Sequence, residues 1–215
     1  MQTWIKICGT TCVEDALASI EAGADALGFI FAPSKRQVSA EQAREIVEHL
    51  PARVERIGIF RNDSAERVTQ TVEEVGLTGI QLHGEETSAC IGEMKAKLLP
   101  RHKVGVIKTV LVNDHFEERF AEVCANYSCI DSILLDSGGG SGQTFDWQRA
   151  QPLLGKNTKP LLLAGGLNAS NIEEAIRKFT PWGVDVVSGV EREPGRKDPE
   201  KLRAFVAAVR RAQQS

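Results

Sequence analysis

The sequence has 215 residues, of which 42% are hydrophobic and 26% are charged, values close to those of ordinary globular proteins. This composition argues against a disordered chain and supplies enough apolar residues for one sizeable core. The formal net charge is −3, which gives no reason to expect nucleic acid or an anionic membrane as a partner. Any basic site must therefore be local.

Targeting and membrane-spanning segments are not expected in this sequence. The chain starts with a short strand-like run rather than a basic region followed by a long apolar stretch, and no apolar run approaches the ~20 residues that a bilayer requires. The five cysteines are odd in number and contain no Cys-x-x-Cys pair, which disfavours a disulfide framework and a structural zinc site. We expect a soluble, cytoplasmic protein.

Short apolar runs alternate with amphipathic segments along the whole chain. The runs are rich in Val, Ile and Leu and lack strict polar alternation, which is typical of parallel strands buried on both faces. The predicted strands are Trp4 to Cys8, Ala26 to Phe31, Val54 to Phe60, Gly79 to His83, Val104 to Val110, Ile130 to Asp136, Pro160 to Ala164 and Val184 to Ser188.

The segments between these runs are predicted to be helices. Ser39 with Gln42 predicts a capping box, and Ser64 predicts a simpler N-cap. Gly23 and Gly183 are each predicted to lie at a helix exit, where glycine is favoured. The predicted helices are Val13 to Ala22, Ala40 to Leu50, Ala65 to Val75, Glu86 to Leu98, Asp114 to Ala125, Trp147 to Leu154, Ser170 to Lys178 and Pro199 to Arg211.

Strict alternation of strand and helix candidates requires parallel strands joined by right-handed crossovers. An open sheet usually has fewer such units, so a count of eight favours a closed barrel. The glycine-rich run 138–142 is too short for a domain linker, and no low-complexity segment divides the chain. We therefore predict an α/β fold, a single-domain (β/α)8 TIM barrel over residues 1–215.

A phosphate site is predicted at the ends of strands 7 and 8, because the loops after these strands often bind phosphate in such barrels. Gly165 and Gly166 follow strand 7, and Ser188 and Gly189 follow strand 8. Glycine lets backbone N–H groups approach phosphate oxygens closely. Either pair alone also fits an ordinary turn, whereas both pairs together favour phosphate.

Candidate acid and base residues lie at other strand ends. Cys8 ends strand 1 and Asp136 ends strand 6, so these side chains can face each other across the barrel mouth. A buried aspartic acid could protonate a substrate oxygen, and a thiolate could remove a proton from carbon. Core packing for Cys8 and a loop cap for Asp136 are the alternatives, and the residues alone leave them open.

Other polar side chains near the strand ends each have more than one interpretation. Arg36 can pair bidentately with a carboxylate, although an isolated loop arginine is more often a solvated charge. His83 can be a ligand, a proton carrier or a core group, and no second histidine at ligand spacing supports a metal site. Lys6 and Lys108 lie within strands and point either into a polar layer or outward.

An ordered set of motifs spans nearly the whole chain, and the set is far more specific than any one of its members. On these motifs the chain resembles the phosphoribosylanthranilate isomerase family. The motifs are Lys6-Ile7-Cys8-Gly9, Gly23 to Phe29, Ser34-Lys35-Arg36 with Val38-Ser39, Gln81 to Gly84, Leu135-Asp136-Ser137 with Gly139 to Gly142 and Thr144 to Trp147, Ala164 to Asn168, Asp185-Val186 with Ser188 to Glu191, and Pro194-Gly195 with Lys197-Asp198.

The resemblance implies an Amadori rearrangement of phosphoribosylanthranilate, an aminoaldose, to an aminoketose in tryptophan biosynthesis, with no metal and no organic cofactor. In that family the cysteine after strand 1 is the general base and the aspartate after strand 6 is the general acid, which here are Cys8 and Asp136. Arg36 matches the arginine that holds the anthranilate carboxylate, and Asp185 matches a position near the anthranilate group. His83 is also assigned to substrate binding.

The resemblance also implies that phosphate is bound by backbone groups around Gly165, Gly166, Ser188 and Gly189. It leaves the oligomeric state open between a monomer and a homodimer. Val187 departs from the family pattern, because a serine is expected there, and residues 31–36 are about one residue tighter than in some relatives.

Three alternatives use the same barrel. A histidine-pathway isomerase is expected to have aspartates after strands 1 and 5, where this chain has Cys8 and Lys108. A lyase of the tryptophan synthase α type needs a glutamate near strand 2, where none is found. A non-catalytic sensor of a phosphate ligand would need neither Cys8 nor Asp136.

Overall fold

The computed structural model describes residues 2–98, 103–136 and 159–213. Eight parallel strands form a closed barrel in sequence order, which confirms the predicted fold. The strands are β1 (Trp4–Cys8), β2 (Ala26–Ile30), β3 (Glu55–Phe60), β4 (Gly79–Leu82), β5 (Gly105–Leu111), β6 (Ser132–Asp136), β7 (Leu161–Leu163) and β8 (Gly183–Val186).

Helices in the described residues cover the outside of the barrel, and a short hairpin follows β8. The helices are α1 (Val13–Ala22), α2 (Ala40–Val47), α3 (Ala65–Val75), α4 (Ser88–Leu98), α5 (Phe116–Asn126), α6 (Ile172–Phe179) and α7 (Pro199–Arg211). The hairpin strands are β9 (Glu191–Glu193) and β10 (Arg196–Lys197). The predicted helix from Trp147 to Leu154 and the loop from Ser137 to Gly142 lie outside the described residues.

Helix caps follow the sequence prediction in most places. The Ser39 hydroxyl accepts from the Gln42 N–H, and the Gln42 side chain accepts from the Ser39 N–H, which forms the predicted capping box. Ser64 caps α3 as predicted, since its hydroxyl accepts from the Arg67 N–H. Gly23 ends α1 with a φ of 108°.

The prediction that Gly183 lies at a helix exit is wrong. Helix α6 ends at Phe179, and Thr180 takes the left-handed position with a φ of 42°. Gly183 is the first residue of β8 and pairs with Trp4. A Cβ on Gly183 would lie 3.1 Å from the Trp4 ring, so the absence of a side chain there makes room for tryptophan at the base of the barrel.

Side chains on the strands alternate between two cores. Ile5 and Ile7 of β1 join the large core between the barrel and the helices, whereas Trp4 packs with the barrel interior. The interior core is apolar and consists of Ala26, Ile57, Ile107, Leu134, Leu162 and Ala164. Two residues further along several strands, the interior becomes polar, with Lys6 beside Asp185 and Gln81 bonded to Thr109. The barrel is therefore closed by apolar side chains at its base and lined by polar ones towards its mouth.

A buried ion pair outside the barrel interior holds the loop after β4. Lys108 lies two residues from both Val106 and Val110 on β5, so its side chain points to the same face, towards the helices. Its ammonium lies 2.7 Å from Glu86 Oε2. It also donates to the Gly84 carbonyl at 2.5 Å. Glu86 in turn accepts from the backbone N–H groups of Asn62 and Gly84. The pair thus joins the loops that follow β3 and β4.

Removal of the Lys108 charge is expected to destabilise the fold strongly. Lys108→Met leaves the buried Glu86 carboxylate without its cation, which costs about 3–5 kcal/mol of the free energy of unfolding. Lys95→Met is the matched control, because Lys95 pairs with Asp131, whose side chain is 55% exposed, and exposed pairs contribute less than about 1 kcal/mol. Urea denaturation of both variants tests this expectation, and equal losses would contradict it.

Candidate active site

A cavity of about 290 Å³ opens at the C-terminal ends of the strands. Such a position is where barrels of this type carry their active sites. The lining residues come from β1, β2, β3, β4, β6 and β8 and from the residues that follow β2, β3, β4 and β8. Five predicted site residues meet in this cavity, namely Cys8, Arg36, His83, Asp136 and Asp185.

Cys8 is held at the floor of the cavity by its neighbour on β2. It is the last residue of β1, it is 4% exposed, and it lies opposite Gly28 in the parallel register. A Cβ on Gly28 would lie 2.6 Å from the Cys8 sulfur and 3.0 Å from its Cα. Glycine on β2 therefore provides the space that the thiol occupies, a role that the sequence analysis did not assign to Gly28.

The thiol lies above a buried ion pair. Lys6 is two residues before Cys8 and leaves the same face of β1, and its ammonium is 2.8 Å from Asp185 Oδ1. Among residues 2–98, 103–136 and 159–213, neither atom has a well-directed hydrogen-bond partner, so the contact between them is mainly electrostatic. The sequence is compatible with either direction for Lys6, and in the structure the side chain points inward.

Opposing effects act on the acidity of the Cys8 thiol. Burial raises the pKa of Cys8 above its usual value, whereas the ammonium groups of Lys6 and Lys197 lower it and Asp185 raises it. Burial also works against the charge of Lys6, but Asp185 and Cys8 raise the pKa of Lys6 overall. A charged ammonium therefore lies beneath the sulfur and partly offsets the burial that raises the pKa of Cys8 overall, and it thus favours the thiolate, the form that acts as a base.

Asp136 and His83 lie together at the rim of the cavity. Asp136 Oδ2 is 3.7 Å from His83 Nε2, and the two side chains are 17% and 25% exposed. Burial lowers the pKa of His83, although Asp136 opposes the shift. The imidazole is therefore neutral at neutral pH and adds a polar, uncharged group beside the Asp136 carboxyl.

Arg36 reaches the cavity with one edge of its guanidinium already bound. Its Nε donates to Glu191 Oε1 at 2.8 Å, and its Nη2 donates to Glu191 Oε2 at 2.6 Å. The side chain is 13% exposed and lines the cavity. Glu191 belongs to the motif Ser188 to Glu191, and no local sequence pattern links it to Arg36.

The four predicted phosphate residues cluster beside this cavity rather than in its lining. Gly165 and Gly166 adopt φ values of 84° and 63°, which favour glycine. Ser188 and Gly189 begin a 3-10 turn after β8, and a Cβ on Gly189 would lie 2.0 Å from the Leu167 carbonyl oxygen. The two loops thus pack at backbone distance, as an anion site made of N–H groups requires.

Two kinds of feature are absent from residues 2–98, 103–136 and 159–213. No three His, Cys, Asp or Glu side chains there are grouped so as to hold a metal ion. No helix in the same residues is long and apolar enough to cross a membrane.

The balance of charges around the thiol predicts a pH effect. Lys6→Met removes an ammonium that lowers the pKa of Cys8 and leaves Asp185, which raises it, so the pKa should increase. Alkylation by iodoacetamide requires the thiolate and speeds up as the pH rises towards the pKa. We expect slower Cys8 alkylation in Lys6→Met at each pH below the pKa, measured by mass spectrometry of the Cys8 peptide.

Lys95→Met is the control for this experiment, because Lys95 lies on α4 and pairs with Asp131 on the outside of the barrel. Its alkylation profile should match that of the parent chain. Faster alkylation of Cys8 in Lys6→Met would show that the ammonium does not stabilise the thiolate.

Known proteins resemble this chain over nearly its whole length. A family model described as N-(5′-phosphoribosyl)anthranilate (PRA) isomerase matches residues 5–208. A protein of that name from Bacillus cereus is 43% identical over 203 residues, which cover 94% of this chain and 96% of the relative.

Two solved structures share the fold over the same length. One is a phosphoribosyl anthranilate isomerase in complex with reduced 1-(o-carboxyphenylamino)-1-deoxyribulose 5-phosphate, with 40% identity, a TM-score of 0.83 and coverage of 97% and 99% of the two chains. The other shows monomers of a dimeric phosphoribosylanthranilate isomerase from Thermotoga maritima, with 38% identity, a TM-score of 0.83 and the same coverage. The chain belongs to the N-(5′-phosphoribosyl)anthranilate isomerase family.

Proposed function

We propose that this chain converts N-(5′-phosphoribosyl)anthranilate into 1-(o-carboxyphenylamino)-1-deoxyribulose 5-phosphate, with Cys8 as general base and Asp136 as general acid. The observation that carries the assignment is that both residues line one cavity at the mouth of the barrel. The reduced ketose bound to a relative supports a substrate of this class.

The first step is ring opening. The Asp136 carboxyl gives its proton to the ribose ring oxygen as the bond from that oxygen to C1 breaks. The lone pair of the anthranilate nitrogen forms the new C1–nitrogen double bond, so the intermediate is an iminium. Asp136 Oδ2 lies 3.7 Å from His83 Nε2, and both residues line the cavity in which the ring oxygen would be bound.

The second step is removal of the proton from C2. The iminium acidifies C2, so the Cys8 thiolate takes this proton and the electrons of the C–H bond form a C1–C2 double bond. The resulting enolamine loses the proton of its C2 hydroxyl and gains one at C1 to become the ketone. The iminium nitrogen is the electron sink, so the chemistry requires neither a metal nor an organic cofactor.

Substrate binding is assigned to the groups around these two residues. Arg36 holds the anthranilate carboxylate, Asp185 lies near the anthranilate group, and His83 also contacts the substrate. The phosphate is bound by backbone N–H groups around Gly165 and Gly166 after β7, and around Ser188 and Gly189 after β8. The positive φ values and the close packing of these loops support this assignment.

Wider aspects of the proposal follow from the family. We assign the whole chain, residues 1–215, to one catalytic domain that acts in the cytoplasm in tryptophan biosynthesis on a small-molecule substrate, without nucleic acid or membrane partners. A relative from Thermotoga maritima is dimeric and also forms monomers, so we assign this chain to either a monomer or a homodimer. A histidine-pathway isomerase is expected to have an aspartate after strand 5. Lys108 of β5 instead pairs with Glu86 on the helix side of the barrel, which disfavours that alternative.

Turnover of freshly made phosphoribosylanthranilate, followed as loss of its anthranilate fluorescence, tests the two catalytic assignments. Cys8→Ser and Asp136→Asn should each lower kcat by roughly 10²–10⁴, the scale of general acid and base groups. Inhibition by inorganic phosphate should be retained, because neither change touches the phosphate loops. Cys90→Ser on α4 should keep the parent rate.

Two results would contradict the proposal. Full turnover in Cys8→Ser or Asp136→Asn removes that residue from its role. A folded parent chain that leaves phosphoribosylanthranilate unchanged overturns the assigned reaction itself.

Gly28→Ala is expected to displace the catalytic sulfur. The new Cβ would lie 2.6 Å from the Cys8 sulfur, and a shift of about 1 Å in a catalytic group can cost about 10²-fold in kcat. Gly79→Ala is a matched control, since its Cβ would lie 2.6 Å from Ile57 Cδ1 at the base of the barrel. It should lower the melting temperature but leave kcat within about 2-fold. Equal kcat values for the two variants would show that Gly28 does not position Cys8.

A further inference from the structure

Glu191 is a buried carboxylate that four donors surround. Arg36 donates through Nε and Nη2, Lys197 donates through Nζ at 3.1 Å, and Gly195 donates its backbone N–H at 3.2 Å. The exposed fractions of the Glu191, Arg36 and Lys197 side chains are 4%, 13% and 0%. We refer to Arg36, Glu191 and Lys197 as the Glu191 cluster.

The Glu191 cluster connects the hairpin after β8 to the catalytic strand. Glu191 and Lys197 are paired across the antiparallel β9–β10 hairpin. Lys197 Nζ also donates to the Cys8 carbonyl at 2.5 Å, and its backbone N–H donates to Asp15 at 2.8 Å. The position of Glu191 is therefore fixed relative to β1 and α1, and it is a firm anchor for the long side chain of Arg36.

The geometry of the guanidinium decides what Arg36 can still bind. A guanidinium has five N–H donors in one plane, and Glu191 takes the edge formed by Nε and Nη2. Within the described part of the chain, the edge formed by Nη1 and the second N–H of Nη2 carries no hydrogen bond, and this edge can also bind a carboxylate bidentately. The stem of Arg36 is restrained as well, because a Cβ on Gly9 would lie 2.7 Å from Arg36 Cδ.

We propose that Glu191 is the positioning residue that makes the site selective for a carboxylate-bearing substrate. By binding one edge of Arg36, it presents the opposite edge to the carboxylate of the anthranilate group. The inference rests on the proposed function, in which Arg36 binds that carboxylate, and adds the residue that orients it.

The charges of the cluster suit this role. Burial works against the charge of Glu191, but the hydrogen bonds from Arg36 and the nearby Lys197 lower the pKa of Glu191 overall. The hydrogen bonds to Glu191 raise the pKa of Arg36. Burial lowers the pKa of Lys197, and Glu191 opposes that shift. The cations Arg36 and Lys197 share the single Glu191 carboxylate, so the cluster has a net charge of about +1 when both cations are protonated. This charge can be balanced by one substrate carboxylate.

The test is a double-mutant cycle on KM and kcat with phosphoribosylanthranilate. Glu191→Gln should raise KM by about 10- to 100-fold, the effect expected when charge-assisted hydrogen bonds are lost, and change kcat by less than about 3-fold. In the Arg36→Met background the same change should leave KM within about 2-fold, because no guanidinium remains to be oriented. The inhibition constant of inorganic phosphate should stay within about 2-fold in every variant.

Glu193→Gln is the matched control. It removes the same charge from the same strand, two residues away, at an exposed position, and should leave KM and kcat unchanged. If Glu191→Gln does not fold, Glu191→Asp replaces it in the cycle. It keeps the charge but shortens the side chain by one methylene, so its increase in KM should also depend on Arg36.

The outcomes separate this inference from the proposed function. If Arg36→Met raises KM strongly and the Glu191 variant does not, the inference is overturned and the function stands. Equal KM increases in the parent and Arg36→Met backgrounds also overturn it, because Glu191 would then act through the fold alone. An inactive parent chain, or an Arg36→Met variant with the parent KM, instead overturns the assigned reaction or the assigned carboxylate site, and with it this inference.

Discussion

Burial of charge is the constraint on which the mouth of the barrel depends. Three lysine side chains there have no exposed surface, and a buried ammonium without a partner costs several kcal/mol. Each therefore requires a carboxylate at close range, and each carboxylate comes from another element of the fold. The pairs are Lys6–Asp185 at 2.8 Å, Lys108–Glu86 at 2.7 Å and Lys197–Glu191 at 3.1 Å.

Each pair also fixes a part of the site. The first lies under the Cys8 thiol, the second binds the backbone on both sides of His83, and the third holds the hairpin that orients Arg36. Replacement of buried ion pairs by apolar side chains is often neutral or stabilising, so stability alone does not explain three of them around one cavity. Their common effect is to fix polar side chains in geometries that an apolar core would leave undefined.

Local signals in the sequence were enough for the fold, whereas the roles of the candidate site residues came from the resemblance to a family. Apolar runs and caps predicted the strand order and the bounds of α1, α3 and α7, and the fold then placed Cys8 and Asp136 at one end of the barrel. The missing features are contacts between distant segments. Glu191 is 155 positions from Arg36, and Gly28 matters because parallel register sets it opposite Cys8. Neither periodicity nor spacing contains such pairings.

Barrel closure explains why these groups suit one substrate. Strand β1 pairs with β2 on one side and with β8 on the other. In the proposed roles, Arg36 after β2 takes the carboxylate, and the loops after β7 and β8 take the phosphate. The two anionic ends are then bound on either side of Cys8, while the carbons between them lie over β1 and face Asp136 from β6. In these roles the carboxylate and the phosphate each have their own hydrogen-bond donors. This pairing limits the electrostatic repulsion between the two substrate anions and the Cys8 thiolate that must form between them.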